Sequence, residues 1–552
     1  MYYDIIVKRT ERAIIMGVYL NPNNQNFYEA VNKEIYVDKS LLIERIEYLK
    51  EKVNKYICVS RPRRFGKSTD ANMLVAYYSK GCDSLHIFND LKISQTELYQ
   101  KHLNQHNVIH VNMQDFLGYT HDVGKMIILL TRRIINDLKK SYNVELFDES
   151  ILSMSLEDVY SATNEQFIFI IDEWDCIFRE YSENKEAQNR YLDFLRNLLK
   201  DKPYVELAYM TGILPIKKYG THSALNMFEE ISMIEPELLA EFMGFTENEV
   251  KDLCSLYNVS YEEMREWYDG YQFGKKAVYC PWDVISYCRN LCADPDAIPE
   301  DFWSNTSSNS IVSRFIDKAN KQTRDEIENL ISGETVIKEI KQELTYNELD
   351  KSIENLWSIL FTTGYLTQRE RIDSRKLRLA IPNREIKELF ELQIREWFQE
   401  KSSEDVKKLD KLCMAFPDGD AETIEDLFND YLWNTISIRD TAVKGRKENF
   451  YHGVLLGLLS HMENWAVWSN IESGEGYCYI LLEVPENRVG VVIEMKYAQE
   501  DRMEAACTEA LKQIEQRQYA VRLKSDGMKN IVNYGIACYR KHCKVKIGKE
   551  NS

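Results

Sequence analysis

The chain has 552 residues, 44% of them hydrophobic and 12% aromatic, and a formal net charge of −18 from 70 basic and 88 acidic side chains. That length exceeds what one core organises and predicts about two to four domains, while the apolar content excludes global disorder. The acidic balance excludes a surface coated in positive potential for indiscriminate nucleic-acid binding, although a local basic groove remains open.

Met1 to Met16 mixes charges (Asp4, Lys8, Arg9, Glu11, Arg12) and has no signal-peptide core. We read 1–16 as an extension. From 17 to 240, short apolar runs at 56–59, 107–112, 167–171 and 205–210 alternate with amphipathic stretches such as 124–141, which predicts a parallel α/β sheet. The run Tyr56-Ile57-Cys58-Val59 leads into Ser60-Arg61-Pro62-Arg63-Arg64-Phe65-Gly66-Lys67-Ser68, and a helical pattern follows from Ala71. Strand, tight loop ending in Gly-Lys-Ser, then helix is a phosphate-binding (Walker A) context. Backbone N–H groups face the anion, the lysine reaches the β/γ-phosphates and the hydroxyl ligates Mg²⁺. One position departs from G-x-x-x-x-G-K-[ST], since Arg61 stands at the first glycine.

After 107–112, Asn112 and Asp115 are near enough to the expected nucleotide to be considered, and a loop cap is the simpler role. Phe167-Ile168-Phe169-Ile170-Ile171 is apolar throughout, as in a strand buried on both faces, and ends in Asp172-Glu173-Trp174-Asp175. An acid at that tip is placed to hold Mg²⁺, and a second acid to orient water. By itself the segment also reads as a solvated acidic turn. Val205 to Met210 reads as a further strand, ending at Thr211-Gly212, where Thr211 is either a γ-phosphate sensor or a turn residue.

Residues 241–405 read as a mainly helical connector or lid. Thr246 is an expected N-cap with a glutamate downstream. Trp267, Tyr268, Tyr271, Trp282, Trp303 and Trp357 recur here, and core packing outweighs base stacking as their expected role. The polar stretch Glu400 to Asp405 marks a boundary, and 406–552 reads as a last domain with a turn at 416–420. In that domain Val491-Val492-Ile493-Glu494-Met495-Lys496 puts Glu494 and Lys496 on one strand face, either a metal-and-lysine pair or a strand-end salt pair.

These motifs resemble a known family. Tyr36-Val37-Asp38-Lys39, the Arg-Pro-Arg-Arg-Phe-Gly-Lys-Ser loop, Ile171-Asp172-Glu173-Trp174-Asp175 and Met210-Thr211-Gly212-Ile213 look like the bacterial and archaeal AAA-ATPase-like family, in which arginine at the first loop position is usual. Ser223 to Asn226, Trp267 to Tyr271 and Gly364 to Thr367 also resemble its recurring segments. The resemblance implies a P-loop NTPase domain at 17–240, a helical middle region, and a C-terminal α/β domain similar to restriction endonucleases of the PD-(D/E)xK type. It implies ATP held by Arg61, Pro62, Arg63, Arg64, Phe65, Gly66, Lys67, Ser68 and Thr69, with Mg²⁺ on Ser68 and Asp172. Lys67, Glu173 and Thr211 would carry hydrolysis.

In the last domain the resemblance points to Glu448, position 479, Glu494, Lys496 and Gln513. Its pattern has aspartate at 479, where this chain has Tyr479. A phenol with a reference pKa near about 10 is neutral at pH 7 and a poor Mg²⁺ ligand. Glu483 shares Tyr479's face but lies about 13 Å along the strand, while Glu472 and Glu475 fall in the expected preceding turn. A nuclease fold with impaired cleavage is expected.

The twelve cysteines are scattered without a CxxC pair, and the nine histidines include no HExxH, so neither zinc nor a disulfide framework is expected. With no apolar run near about 18 residues, a soluble cytoplasmic protein without a membrane partner is expected. Three functions stay open: a P-loop ATPase coupled to an impaired nuclease-like domain, an ATP-licensed metal-dependent DNA nuclease of a defence or mobile-element system, and a nucleotide-regulated non-enzymatic scaffold. DNA and a second copy of the chain are the candidate partners.

Overall fold

The computed structural model describes residues 17–181, 183–216, 225–234, 238–303, 310–319, 321–341, 352–403, 406–435, 447–462, 464–472, 477–517, 520–539 and 542–548. The chain divides into two compact units, one of Met1–Phe302 with Lys338–Asn383, the other of Trp303–Ile337 with Arg384–Ser552.

The first unit is built on a parallel sheet of five strands, β1 (Tyr56–Ser60), β2 (Asn107–Asn112), β3 (Phe167–Asp172), β4 (Val205–Gly212) and β5 (Glu229–Ile231), in the order β2-β3-β4-β1-β5. The four expected strands are present, one or two residues longer at some ends, and β5 is an addition. Every residue of β1 and β3 is buried, which is why both read as unbroken apolar runs. The sheet's two faces are covered differently. Phe167, Phe169 and Ile171 join one large core with Leu130, Ile134, Leu156 and Leu195 from the helices Val123–Ser141, Leu152–Thr163 and Lys185–Leu199. By the two-residue alternation, Ile168, Ile170 and Asp172 point to the opposite face, where the helix Lys67–Tyr78 packs over β2, β3 and β4.

At the amino-terminal edge of this sheet lies a closed polar ring. Glu47 accepts from Tyr78 Oη at 2.7 Å and pairs with Lys50 at 2.8 Å. His102 Nε2 lies 3.5 Å from Glu47, His102 Nδ1 and His106 Nε2 share a hydrogen bond of 2.9 Å, and His106 Nδ1 meets Glu206 at 2.9 Å. Lys50 closes the circuit to Glu206 at 3.2 Å.

The expected helical middle stretch carries helices and short strands. β6 (Phe245–Thr246), β7 (Tyr271–Phe273) and β8 (Lys276–Tyr279) form a small antiparallel sheet, ordered β6-β8-β7. β9 (Val336–Glu339) follows, and β10 (Thr367–Arg371) pairs antiparallel with β11 (Lys376–Ala380). Thr246 caps the helix Glu247–Tyr257 in a full capping box with Glu249. The backbone at Gly270, with φ +121°, passes so close to Pro382 that an added Cβ would lie 1.8 Å from its carbonyl oxygen. Tyr268, Tyr271, Trp303 and Trp357 are buried, in keeping with packing, whereas Trp282 is 46% exposed.

The second unit contains β12 (Ala466–Glu472), β13 (Tyr477–Val484), β14 (Val489–Tyr497), β15 (Asn530–Tyr539) and β16 (His542–Ile547), in sequential order. All neighbours are antiparallel except β14 and β15, which run parallel. A parallel pair needs a crossover, supplied here by the helix Met503–Arg517, which packs on both strands. The turn expected at 416–420 separates the helices Val406–Ala415 and Ala421–Thr435. The polar stretch expected as a boundary begins inside a helix, Arg384–Ser403. Among the described residues no helix is long and apolar enough to cross a membrane.

Candidate functional site

The loop after β1 turns through two left-handed residues, Arg64 (φ +71°) and Gly66 (φ +90°), before the helix begins at Lys67. Glycine adopts that conformation freely, while an arginine there must be held. Arg64 is held on two sides, by Nη1 donating to the Phe302 carbonyl at 2.8 Å and by its guanidinium lying 5.1 Å from the Trp282 ring. Phe65 is buried against Tyr271 and Phe273. Arg61, fully buried, donates from Nη1 to the carbonyls of Ser60 (2.9 Å) and Ile231 (2.8 Å) and stacks over Phe273. The nine residues expected around ATP therefore split. The side chains of Arg61, Arg64 and Phe65 fasten the loop to its surroundings, the Arg61 N–H is taken by the Gly212 carbonyl, and Pro62 has no N–H to offer. Arg63, Ser68 and Thr69 are exposed.

Lys67 is buried, its Nζ donating to the carbonyls of Arg61 (3.1 Å) and Pro62 (2.9 Å). Burial pushes this ammonium below its usual pKa, and Glu173, Asp172 and Asp175 oppose the shift. An ammonium parked on loop carbonyls can be drawn onto a polyanion at little cost in desolvation, because it is already out of water.

The carboxylates come from the tip of β3. β4 lies between β1 and β3, so the loop and the acidic tip are two strand spacings apart, about 9–10 Å. Arg61 N–H donates to the Gly212 carbonyl at 3.1 Å and Trp174 N–H to the Thr211 carbonyl at 3.0 Å, so the end of β4 is fixed from both sides. Asp172 is buried, and its Oδ1 accepts from the Thr211 hydroxyl and from Glu173 N–H at 3.1 Å. Asp175, fully buried, accepts at Oδ2 from the N–H groups of Ile213 (3.1 Å) and Leu214 (3.0 Å). Arg179 pairs with Asp175 at 2.8 Å and with Glu173 at 2.5 Å, and donates to Gln114 at 3.1 Å. The Ser68 hydroxyl and the Asp172 carboxylate are hard oxygen donors of the kind Mg²⁺ takes, so this donor set fits that ion.

Asn112 accepts from the N–H groups of Gln114 and Asp115, capping the helix Met113–Thr120; this is the simpler role. Arg179 and Gln114 were not singled out from the sequence. The available signal was the spacing of Arg179, one helical turn after Asp175.

In the second unit Tyr479 of β13 stands directly opposite Glu494 of β14, on the same sheet face. Glu494 is fully buried with Lys496 Nζ 3.6 Å from its Oε1. Tyr479 packs at the edge of an apolar cluster of Leu481, Val492, Ile514 and Leu523, so the position expected for an acid is filled by an aromatic ring. Gln513 is half-buried on the helix Met503–Arg517. Glu448 lies in the helix Lys447–Leu459, but its side chain is outside the described residues, as are the Glu472 side chain and all of Glu475. Glu472 ends β12, which corrects its expected place in a turn, and Glu483 pairs with Gly490 far down the strand. Among the described residues no group of three His, Cys, Asp or Glu could hold a metal ion. Tyr479 puts a phenol, not a carboxylate, opposite Glu494.

Residues 24–221 match a family model described as a predicted AAA-ATPase, and residues 446–547 match that of the PD-(D/E)XK nuclease superfamily. The chain carries an AAA-ATPase-like domain followed by a PD-(D/E)XK nuclease domain. A curated relative, an uncharacterized protein in the vnfD 5′ region of Azotobacter chroococcum, is 26% identical over 372 residues. That match covers 64% of this chain and 64% of the relative. Among solved structures, a Walker-type ATPase of Pyrococcus abyssi is 13% identical with a TM-score of 0.33, covering 63% of this chain and 94% of that one. The ORC2 protein of Aeropyrum pernix is 10% identical with a TM-score of 0.28, covering 66% and 96% respectively. The AAA-ATPase-like match takes in the loop, the β3 tip and Thr211, and the PD-(D/E)XK match takes in Tyr479, Glu494 and Lys496.

Proposed function

We propose that the chain binds Mg·ATP at the Lys67 loop and hydrolyses it to ADP and phosphate, and that its nuclease-like domain is impaired in cleavage. The observation that supports the first part is the convergence of Lys67 with Asp172, Glu173 and Asp175 at the carboxyl edge of one parallel sheet, through Lys67's electrostatic environment. Lys67 would leave the Arg61 and Pro62 carbonyls for the β/γ-phosphates, and exposed Ser68 and Thr69 would lie along the phosphate chain. Asp172 and Ser68 would hold Mg²⁺, which would supply charge neutralisation on the phosphates. Glu173 would orient the attacking water and accept its proton, with Thr211 next to the γ-phosphate. The nucleotide-binding domain is taken as 17–240, with 241–405 as connector and 406–552 as the nuclease-like domain.

Calorimetric titration with Mg·ATP together with phosphate release tests this. Wild-type protein should bind and turn over, and Lys67→Ala should abolish turnover; equal turnover in that variant would refute the assignment. For the last domain, Tyr479 in the apolar cluster beside Glu494 is the observation against cleavage. DNA remains a proposed partner of that domain, and self-association of the whole chain is a further proposal, measurable as solution mass with and without ATP.

A further inference from the structure

Glu173 has a backbone that side chains other than glycine seldom adopt, with φ +54°. Its own N–H is tied to Asp172, and the next N–H, of Trp174, is tied to β4. Its carboxylate nevertheless needs a separate fixture, because two other carboxylates, Asp172 and Asp175, are its neighbours in sequence and in space.

We propose that Arg179 is a positioning residue for hydrolysis, a single guanidinium that clamps Glu173, Asp175 and Gln114 and thereby fixes the water-orienting carboxylate relative to the ends of β2, β3 and β4. The proposal rests on the reading of Glu173 given above. A planar fork with five donors can serve three acceptors at once, and the contacts are 2.5 Å to Glu173, 2.8 Å to Asp175 and 3.1 Å to Gln114. Two of the acceptors are themselves anchored. Asp175 holds the Ile213 and Leu214 amides beyond β4, and Gln114 stands in the first turn of the helix that follows β2. Glu173 also feels the charges of Lys67 and Arg63.

The charged groups around Glu173 are Arg179 from the helix Cys176–Glu180 and Lys67 and Arg63 from the loop and its helix, with Asp172 and Asp175 beside it at the β3 tip.

The test is kcat and KM of ATP turnover for the full chain, with binding of a non-hydrolysable analogue measured alongside. Glu173→Gln should bind the analogue but not turn over; if it turns over normally, the reading of Glu173 fails and the clamp falls with it. Given that result, Arg179→Met should lower kcat about tenfold or more while leaving KM and analogue affinity within about twofold. Wild-type kcat, or a loss of analogue affinity as large as the loss of kcat, would overturn the clamp while leaving the Glu173 reading intact. Should the methionine variant not fold, Arg179→Lys decides: it keeps the charge but cannot span all three acceptors. It should lower kcat several-fold at unchanged KM; wild-type kcat would overturn the proposal.

Discussion

Replacing Asp175 separates the structural acid of the Asp-Glu-Trp-Asp tip from the chemical ones. Its carboxylate is fully buried and accepts from two backbone N–H groups, at 3.1 and 3.0 Å, and from Arg179 at 2.8 Å. Hydrogen bonds to a charged group contribute about 1.5–3 kcal/mol each, so the three together set a gross figure of roughly 4–9 kcal/mol. They share one carboxylate and are not additive. Breaking a buried charge pair by deleting one partner costs about 3–5 kcal/mol, and we expect Asp175→Ala to destabilise the first unit by that amount. Asp175→Asn keeps an oxygen for Ile213 and Leu214 but turns an NH₂ toward Arg179, donor against donor, and should cost less, about 1–3 kcal/mol. Urea denaturation gives the two totals, and native-state hydrogen exchange at Ile213 and Leu214 localises them. Protection there should collapse in the alanine variant and survive in the asparagine one. A loss under about 1 kcal/mol for Asp175→Ala, or equal losses in both variants, would refute the assignment of this acid to the architecture.

Tyr479→Asp should supply the missing carboxylate beside Glu494, so plasmid cleavage with Mn²⁺ should rise above wild type and vanish again when Glu494→Ala is added. The polar ring at the other edge of the sheet makes stability depend on acid. Burial raises the Glu206 pKa, but the bonds to His106 and Lys50 outweigh it and leave it at about 2. A depressed carboxylate contributes fully above its unfolded pKa, near about 4.3, and that contribution is lost as pH falls from there toward about 2. The melting temperature of the first unit should therefore drop across that window, and Glu206→Gln should flatten the drop. Thr246→Ala removes the capping box of the helix Glu247–Tyr257 and should cost about 1 kcal/mol in thermal unfolding.

The strands, and the places of the loop and the acidic tip at their ends, were legible because buried parallel strands leave unbroken apolar runs. Thr246 was legible for the same kind of reason, since its cap and glutamate are local in sequence. The fates of Arg61, Arg64 and Phe65 were not. Their partners, Ile231, Phe302, Trp282, Tyr271 and Phe273, lie about 170 to 240 residues away, and long-range packing leaves no local pattern. β5 and β6 escaped notice because strands of two or three residues carry too few side chains to alternate. Arg179 was hidden by the acids it serves, which drew attention to themselves.

Arg61 has a consequence for dissecting the molecule. Because its guanidinium is moored to the Ile231 carbonyl and the Phe273 ring, the nucleotide loop borrows rigidity from residues well past the fourth strand. A fragment ending near 221, where the AAA-ATPase-like match stops, would keep every residue of the motif and lose its mooring. The loop's mooring therefore depends on contacts as far along the chain as the 271–273 strand.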